Sequence, residues 1–235
     1  MNHGFGQFCP IALASEVLTQ RWMLLIIHQL MDSSTRFNDI RRGVPKISAT
    51  LLKQRLEALE YAEIVEKSPI ADTGNYEYFL TPAGKELKEI LLGIGTWGQR
   101  WARDIEDQDL DPGWLVWNMH RRLDTNEMPA GRTVIHLEFT DANRRERFFW
   151  LVVNDDKVDV CLKYPGFSPD IKVTSTVRVM AEVWKGCRSI GDELAKGSIE
   201  LEGHSSLRKG FPSWLLLSPV AHVKSMRQST QSHQP

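Results

Sequence analysis

From Pro10 onward the apolar residues Ile11, Ala14 and Leu18, with Leu13 and Val17 beside them, recur at helical spacing. Cys9-Pro10 opens this segment, and proline suits the first turn of a helix. A second helix is expected from Trp22 to Met31, with Thr19 ahead of it as N-cap. Its residues are apolar almost all round, which predicts a buried central helix. Asp32-Ser33-Ser34 ends it. Arg36 to Arg42 reads as a short third helix or turn, closed by Gly43 and Pro45. Ser48 then caps a helix from Ala49 to Glu60, in which Leu52, Leu56 and Leu59 share one face. Two strand candidates follow, Ile64 to Ser68 and Tyr76 to Leu80. The turn-rich stretch between them contains Asp72-Thr73-Gly74-Asn75, so a hairpin is expected. Thr81-Pro82 starts a longer helix whose stripe is Leu87, Ile90, Leu91, Ile94, Trp97 and Trp101. Three helices, a hairpin and a long helix make the order of a winged helix-turn-helix.

The texture changes after residues 106–112, an acidic, polar stretch ending in proline that reads as a linker. Beyond it Trp114 to Leu123 is helical. Strand-like runs follow at Thr133 to Phe139, Arg147 to Val153, Lys157 to Leu162 and Ile171 to Thr174. Helices are expected at Val177 to Trp184 and Ile190 to Ala195, a strand at Ile199 to Leu201, and a last apolar segment at Trp214 to Leu217. This is an α+β pattern with a mostly antiparallel sheet. The polar tail 224–235 is expected to be disordered. The organisation read from the sequence is therefore 1–105, a mainly-α winged helix-turn-helix; 106–112, a linker; 113–223, an α+β domain; and the tail.

The chain has 235 residues, 29 Lys and Arg against 30 Asp and Glu, and a formal net charge of -1. Its 42% hydrophobic and 25% charged composition is that of a soluble globular protein. No apolar run approaches the roughly 20 residues of a membrane span. No signal peptide is visible at the N-terminus, and the 3 cysteines are too scattered for a disulfide framework. These features point to a cytoplasmic protein. The near-zero charge argues against a nucleic-acid binder only if charge is evenly spread, and it is not. Residues 36–55 hold Arg36, Arg41, Arg42, Lys46, Lys53 and Arg55 against Asp39, six minus one or +5. Glu57, Glu60, Glu63 and Glu66 follow at once.

The helix from Ser48 suits the major groove. Ser48 at its N-terminus can hold a phosphate. Thr50, Lys53 and Gln54 project from the non-core side toward base edges. Arg36, Arg41, Arg42 and Lys46 suit backbone contacts, and the wing residues Lys67 and Asn75 suit the flanking backbone or minor groove. Arg55 either reaches a phosphate or pairs with a nearby acid. The glutamates after residue 56 are expected to face away from DNA. The alternative is a small helical domain with an exposed charged face.

The segments Cys9-Pro10-Ile11, Gln20 to Ile26, Arg36 to Ile40, Ile47 to Leu56, Leu59 to Val65 and Tyr76 to Gly84 resemble the HxlR-type winged-helix transcription regulators of bacteria. The likeness covers about residues 9–101. It implies a homodimer on two-fold operator DNA, with the first helix and the long helix after Pro82 forming the dimer interface. Glu63-Ile64 departs from the family, which often has Gly there before Leu or Ile. Some family members resemble redox or electrophile sensors with a cysteine at the position of Cys9. A thiolate at a helix N-terminus is favoured by the macrodipole, and packing against the dimer partner is the competing role.

Catalytic chemistry is not indicated. His136 and Glu138 share a strand face, which suits either an acid–base pair or a structural polar pair. No metal-binding spacing of His or Cys occurs, and no nucleotide or hydrolase motif, so no cofactor, no metal and no enzyme activity are expected. Trp114, Trp117, Trp150, Trp184 and Trp214 all follow the linker. They make either a tryptophan-rich core or an apolar pocket for a small hydrophobic effector. Asp170 to Ser175, Val177 to Gly186, Ile190 to Leu194, Gly197 to Gly203 and Pro212 to Leu215 resemble the sterol-carrier-protein-like fold, most firmly after residue 170. That likeness implies an apolar tunnel within 113–223.

The sequence thus reads as a homodimeric, sequence-specific transcriptional repressor of double-stranded operator DNA with a ligand-sensing domain. The rivals are a lipid-binding protein that uses the winged helix as an interaction module, a Cys9-based redox or electrophile sensor, and an enzyme working through the C-terminal cleft.

Overall fold

The structure, a computed structural model, describes residues 4–227. Of the expected disordered tail, residues 228–235 lie outside this range. The chain divides into two compact units between Ile94 and Gly95. The first contains α1 (Pro10–Leu18), α2 (Met23–Met31), α3 (Phe37–Gly43), α4 (Ala49–Tyr61), β1 (Val65–Pro69), β2 (Tyr76–Leu80) and most of α5 (Pro82–Trp101). The strands pair antiparallel, Val65 opposite Leu80 and Pro69 opposite Tyr76. An isolated bridge between Arg36 and Glu77 fastens the start of α3 to the wing. This is the winged helix-turn-helix.

Its core is built by Met23, Ile26, Ile27, Ile40, Leu52, Leu56, Leu59, Val65 and Leu80. Gly43 ends α3 against the buried Gln29, and a Cβ there would overlap the Gln29 amide. The cap of α2 differs from expectation. Thr19 terminates α1, its hydroxyl donating to Ser15 O at 2.7 Å. Trp22 takes the N-cap position in the left-handed region, φ 82°, and the Arg21 guanidinium lies 4.8 Å from its ring. Helix α2 is buried on one side, while Leu25 is exposed.

The second unit holds α6 (Pro112–Met119), α7 (Val177–Trp184), α8 (Ile190–Lys196) and α9 (Ser205–Trp214), with β3 (Arg132–Phe139), β4 (Phe148–Asn154), β5 (Lys157–Cys161), β6 (Ile171–Ser175) and β7 (Ile199–Gly203). The strands form one sheet in the order β5-β4-β3-β6-β7. All its pairs are antiparallel except β3 with β6. Ile135, Leu137, Phe149, Leu151, Val153, Ile171 and Val173 point to one face. There they meet Leu115, Val116 and Met119 of α6, Val177, Met180 and Val183 of α7, and Phe211 and Trp214 of α9. Strand alternation sends His136, Glu138, Phe148, Trp150 and Lys172 to the other face.

Helix α9 is absent from the sequence reading, since Pro212 inside it and polar residues at its start break the apolar pattern. Nor are residues 106–112 a free linker. Asp107–Asp109 forms a 3-10 turn closed by a capping box, Asp109 receives Arg103, and Asp107 receives the Arg178 guanidinium at 2.7 Å. Of the acids that suggested a linker, Glu106, Asp107 and Asp109 are ion-pair partners and Asp111 caps α6, accepting from Trp114 N at 2.7 Å.

Candidate nucleic-acid interface

Ser48 adopts extended backbone and its hydroxyl accepts from Leu51 N at 3.2 Å, fixing the start of α4 as expected. With Leu52, Leu56 and Leu59 in the core, Thr50, Lys53, Gln54, Glu57 and Tyr61 are exposed. Thr50, Gln54, Glu57 and Tyr61 follow at intervals of four, three and four, a stripe on the far side of the helix from the leucines. Glu57, expected on the opposite side, thus shares the side of α4 that carries Thr50 and Gln54, its carboxylate 3.9 Å from the Lys53 ammonium.

The cluster of cations is less free than its charge count. Arg36 lies 3.6 Å from Glu77, and Arg42 lies 3.3 Å from Asp39. Two of the neutralising acids, Glu57 and Glu77, come from outside residues 36–55, where a local count cannot see them. Arg55 is the clearest correction. Its Nε donates to Arg21 O at 3.1 Å and its Nη1 to Gln20 Oε1 at 2.9 Å. It pairs with no acid among the described residues and closes the turn between α1 and α2 onto α4. Arg41 and Lys46 are exposed. In the wing the Lys67 ammonium sits 3.9 Å from the centre of the Tyr76 ring. Asn75 lies in the turn, where its N–H donates to Thr73 Oγ1 at 3.2 Å. Glu60, Glu63 and Glu66 line an open depression of about 650 Å³ together with Lys67, Thr81 and Pro82. These three are the glutamates set apart from Thr50 and Gln54.

Tyr61 was not singled out by sequence. It ends the α4 stripe at 93% exposure, and the only signal for it was its place in the four-three-four spacing.

Cys9 is exposed at the N-cap of α1 and its side chain makes no cap hydrogen bond. The five tryptophans do not gather around one cavity. Trp184 and Trp214 belong to the core, and Trp214 Nε1 donates to Glu127 O at 2.9 Å. Trp150 lies on the opposite sheet face, stacked on His136 at 4.8 Å. Trp114 and Trp117 sit on α6, Trp114 exposed and Trp117 ringed by His120 and Arg121. Strand alternation and the helix faces send these rings in different directions.

His136 and Glu138 are not an isolated pair. Glu138 Oε1 accepts from Arg147 at 2.6 Å and Oε2 lies 3.0 Å from the Lys172 ammonium. The Arg147 and Lys172 hydrogen bonds hold the Glu138 carboxyl below the ordinary carboxylate range. Burial between Trp150 and Phe148, with Lys172 nearby, pushes His136 down. Glu138 is thus satisfied by two cations, while the buried His136 Nε2 has no hydrogen-bond partner among the described residues. Among the described residues no group of three or more His, Cys, Asp or Glu could hold a metal ion, and no single helix is long and apolar enough to cross a membrane.

Comparison with known proteins places this surface in context. Residues 17–106 match the family model described as HxlR-like helix-turn-helix. The chain is 35% identical over 112 residues to the uncharacterized HTH-type transcriptional regulator YvaP of Bacillus subtilis, covering 47% of this chain and 96% of that protein. It is 38% identical over 110 residues to the HTH-type transcriptional regulator YodB of the same organism, covering 46% and 91%. Among solved structures, the reduced form of YodB from B. subtilis matches with 36% identity over 40% of this chain and 93% of that one, at a TM-score of 0.35.

Proposed function

The chain belongs to the HxlR-like helix-turn-helix family, and we propose that it is a homodimeric transcriptional regulator that represses by binding two-fold operator DNA. The observation that carries this reading is α4: a capped helix whose exposed side presents Thr50, Lys53 and Gln54, with Arg41 and Lys46 exposed just before it. Donor and acceptor side chains on one helix face are what base edges in a major groove require, and flanking cations supply the phosphate contacts. The names of its relatives as transcriptional regulators support the same reading.

A homodimer is supported by the apolar residues that α1 and α5 leave uncovered. Ile11, Leu13, Ile90, Ile94, Trp97 and Trp101 are all exposed. Surface of that kind on neighbouring turns marks an interface. Two half-sites one helical turn apart, about 34–36 Å, would follow.

In this proposal the residues after the α5 helix form a sterol-carrier-like α+β domain that senses a small apolar effector, without catalysis. A sheet covered on one face by α6, α7 and α9 supports it. The effector would not lie among the five tryptophans taken as a set. Gel-shift assays over a salt series, with native mass spectrometry of the purified protein, test the whole reading. Salt-sensitive duplex binding by a dimer supports it. Tight apolar ligand binding with no salt-sensitive DNA affinity would favour the lipid-binding alternative.

A second reading rests on Cys9, exposed at the start of α1. If it senses oxidants, Cys9→Ser protein should keep its DNA affinity and lose oxidant-dependent release. Unchanged release removes this reading and leaves DNA binding intact.

A further inference from the structure

The Lys53–Glu57 pair sits on the exposed side of α4, the face assigned above to the major groove. Both side chains are well exposed, 71% and 58%, so neither is needed to fill the core. Helix stability gains less from this pair than from one in the opposite order. At i,i+4 the favourable order places the acid N-terminal to the base, and here the order is reversed. The carboxylate cannot serve the phosphate backbone, where a negative charge is repelled. Glu57 nonetheless falls in line with Thr50 and Gln54, with Lys53 alongside it.

A G·C base pair offers a complementary edge. In the major groove guanine presents acceptors at N7 and O6, and cytosine presents the N4 amino donor beside them. A helix that carries an ammonium and a carboxylate 3.9 Å apart carries the matching donor and acceptor. We propose that Lys53 and Glu57 read one G·C pair in each half-site, Lys53 donating to guanine and Glu57 accepting from cytosine N4. Glu57 is then a specificity-determining residue that lowers affinity for DNA in general and raises it for sites with this pair. The inference rests on the DNA-binding reading of α4.

The test is selection of full-length protein on random-sequence duplexes, followed by affinity measurement on the selected site and its single-base variants at fixed salt. The wild type should prefer G·C at one position per half-site by roughly 5- to 150-fold. Lys53→Ala, Glu57→Ala and Glu57→Gln should each lose that preference, the last because an amide suits adenine better than cytosine. Both Glu57 variants should bind unrelated duplexes more tightly than wild type, having lost a negative charge. Arg41→Ala should weaken binding to every sequence and keep the preference. Unchanged base preferences at every position in Glu57→Ala and Glu57→Gln would overturn the inference while leaving operator binding in place. A wild-type protein with no salt-dependent duplex binding would overturn the function on which it rests, and this inference with it.

Discussion

Lys53 and Arg55 stand two positions apart on α4 and do different work. Lys53 projects from the exposed side, paired with Glu57. Arg55 turns inward to the Arg21 carbonyl and the Gln20 amide. Gln54→Ala, like Lys53→Ala, should leave the melting temperature nearly unchanged. Each should cost about 1–3 kcal/mol of binding to the preferred site, with little loss on unrelated duplexes, read by titration of labelled DNA. Arg55→Ala should do the reverse. Losing a charged donor that satisfies a backbone carbonyl and an amide should lower stability by about 1–3 kcal/mol, read by urea denaturation. DNA affinity per folded molecule should hold. The sequence identified both residues as cations on the right helix. It could not distinguish them, because the Arg55 partners lie 35 and 34 positions earlier in the chain.

At the scale of elements, caps and periodicities were legible. Ser48 accepts from Leu51 N and Thr81 from Gly84 N at the start of the helices they precede, and the β2 and α7 bounds follow from the apolar pattern alone. Illegible were elements whose start breaks a local rule, such as α2 entered through a left-handed tryptophan and α9 with an internal proline.

The sheet face opposite the helices belongs to the same scale. Arg147 and Lys172 hold Glu138 ionised there, so its folded-state pKa lies below its unfolded value. Its contribution is therefore present above the ordinary carboxylate range and lost as pH falls through the depressed value. His136, depressed by burial, adds in the same direction. It stays neutral in the fold while the unfolded chain takes up a proton, so stability falls as pH drops below the ordinary imidazole range. Glu138→Gln should cost about 1–2 kcal/mol near neutrality, where partial exposure of Arg147 screens the pair. Denaturation midpoints of variant and wild type should converge in acid. A constant gap at all pH values would show that the ion pairs contribute nothing.

At the scale of the whole molecule, the exposed apolar faces of α1 and α5 and the position of the unit boundary matter most. Ile11→Glu and Ile94→Glu change residues 77% and 47% exposed, so each should leave the fold of a single chain intact. Both should shift sedimentation from dimer to monomer and reduce operator affinity, since two linked half-sites bind far more tightly than one. A dimer that persists in both variants would move the interface off these helices. The sequence expectation of a boundary near residue 105 followed the acidic composition after it, and the family match ends at residue 106. By contacts the chain divides between Ile94 and Gly95, inside α5, and within the second unit Gln99, near the end of α5, donates to Lys185 O at 2.9 Å. Composition marks where polar residues sit, and only contacts tell what those residues hold.

By itself the sequence determined what depends on near neighbours along the chain: the Ser48 cap of α4, the alternation of β3 and β4, the leucine face of α4 and hence its opposite, polar face. These follow from backbone hydrogen bonding and side-chain period, which act over a few residues. Tertiary structure alone decided which cations are engaged, which acids engage them and where the tryptophans point. Arg36 is neutralised by Glu77 from the wing, Glu138 by Lys172 from a strand far along the chain, and Trp184 and Trp214 face a core while Trp150 faces away from it. A charge or a ring takes its energy from whatever lies within a few ångströms in space, and in a folded chain those neighbours are set by topology, not by sequence distance.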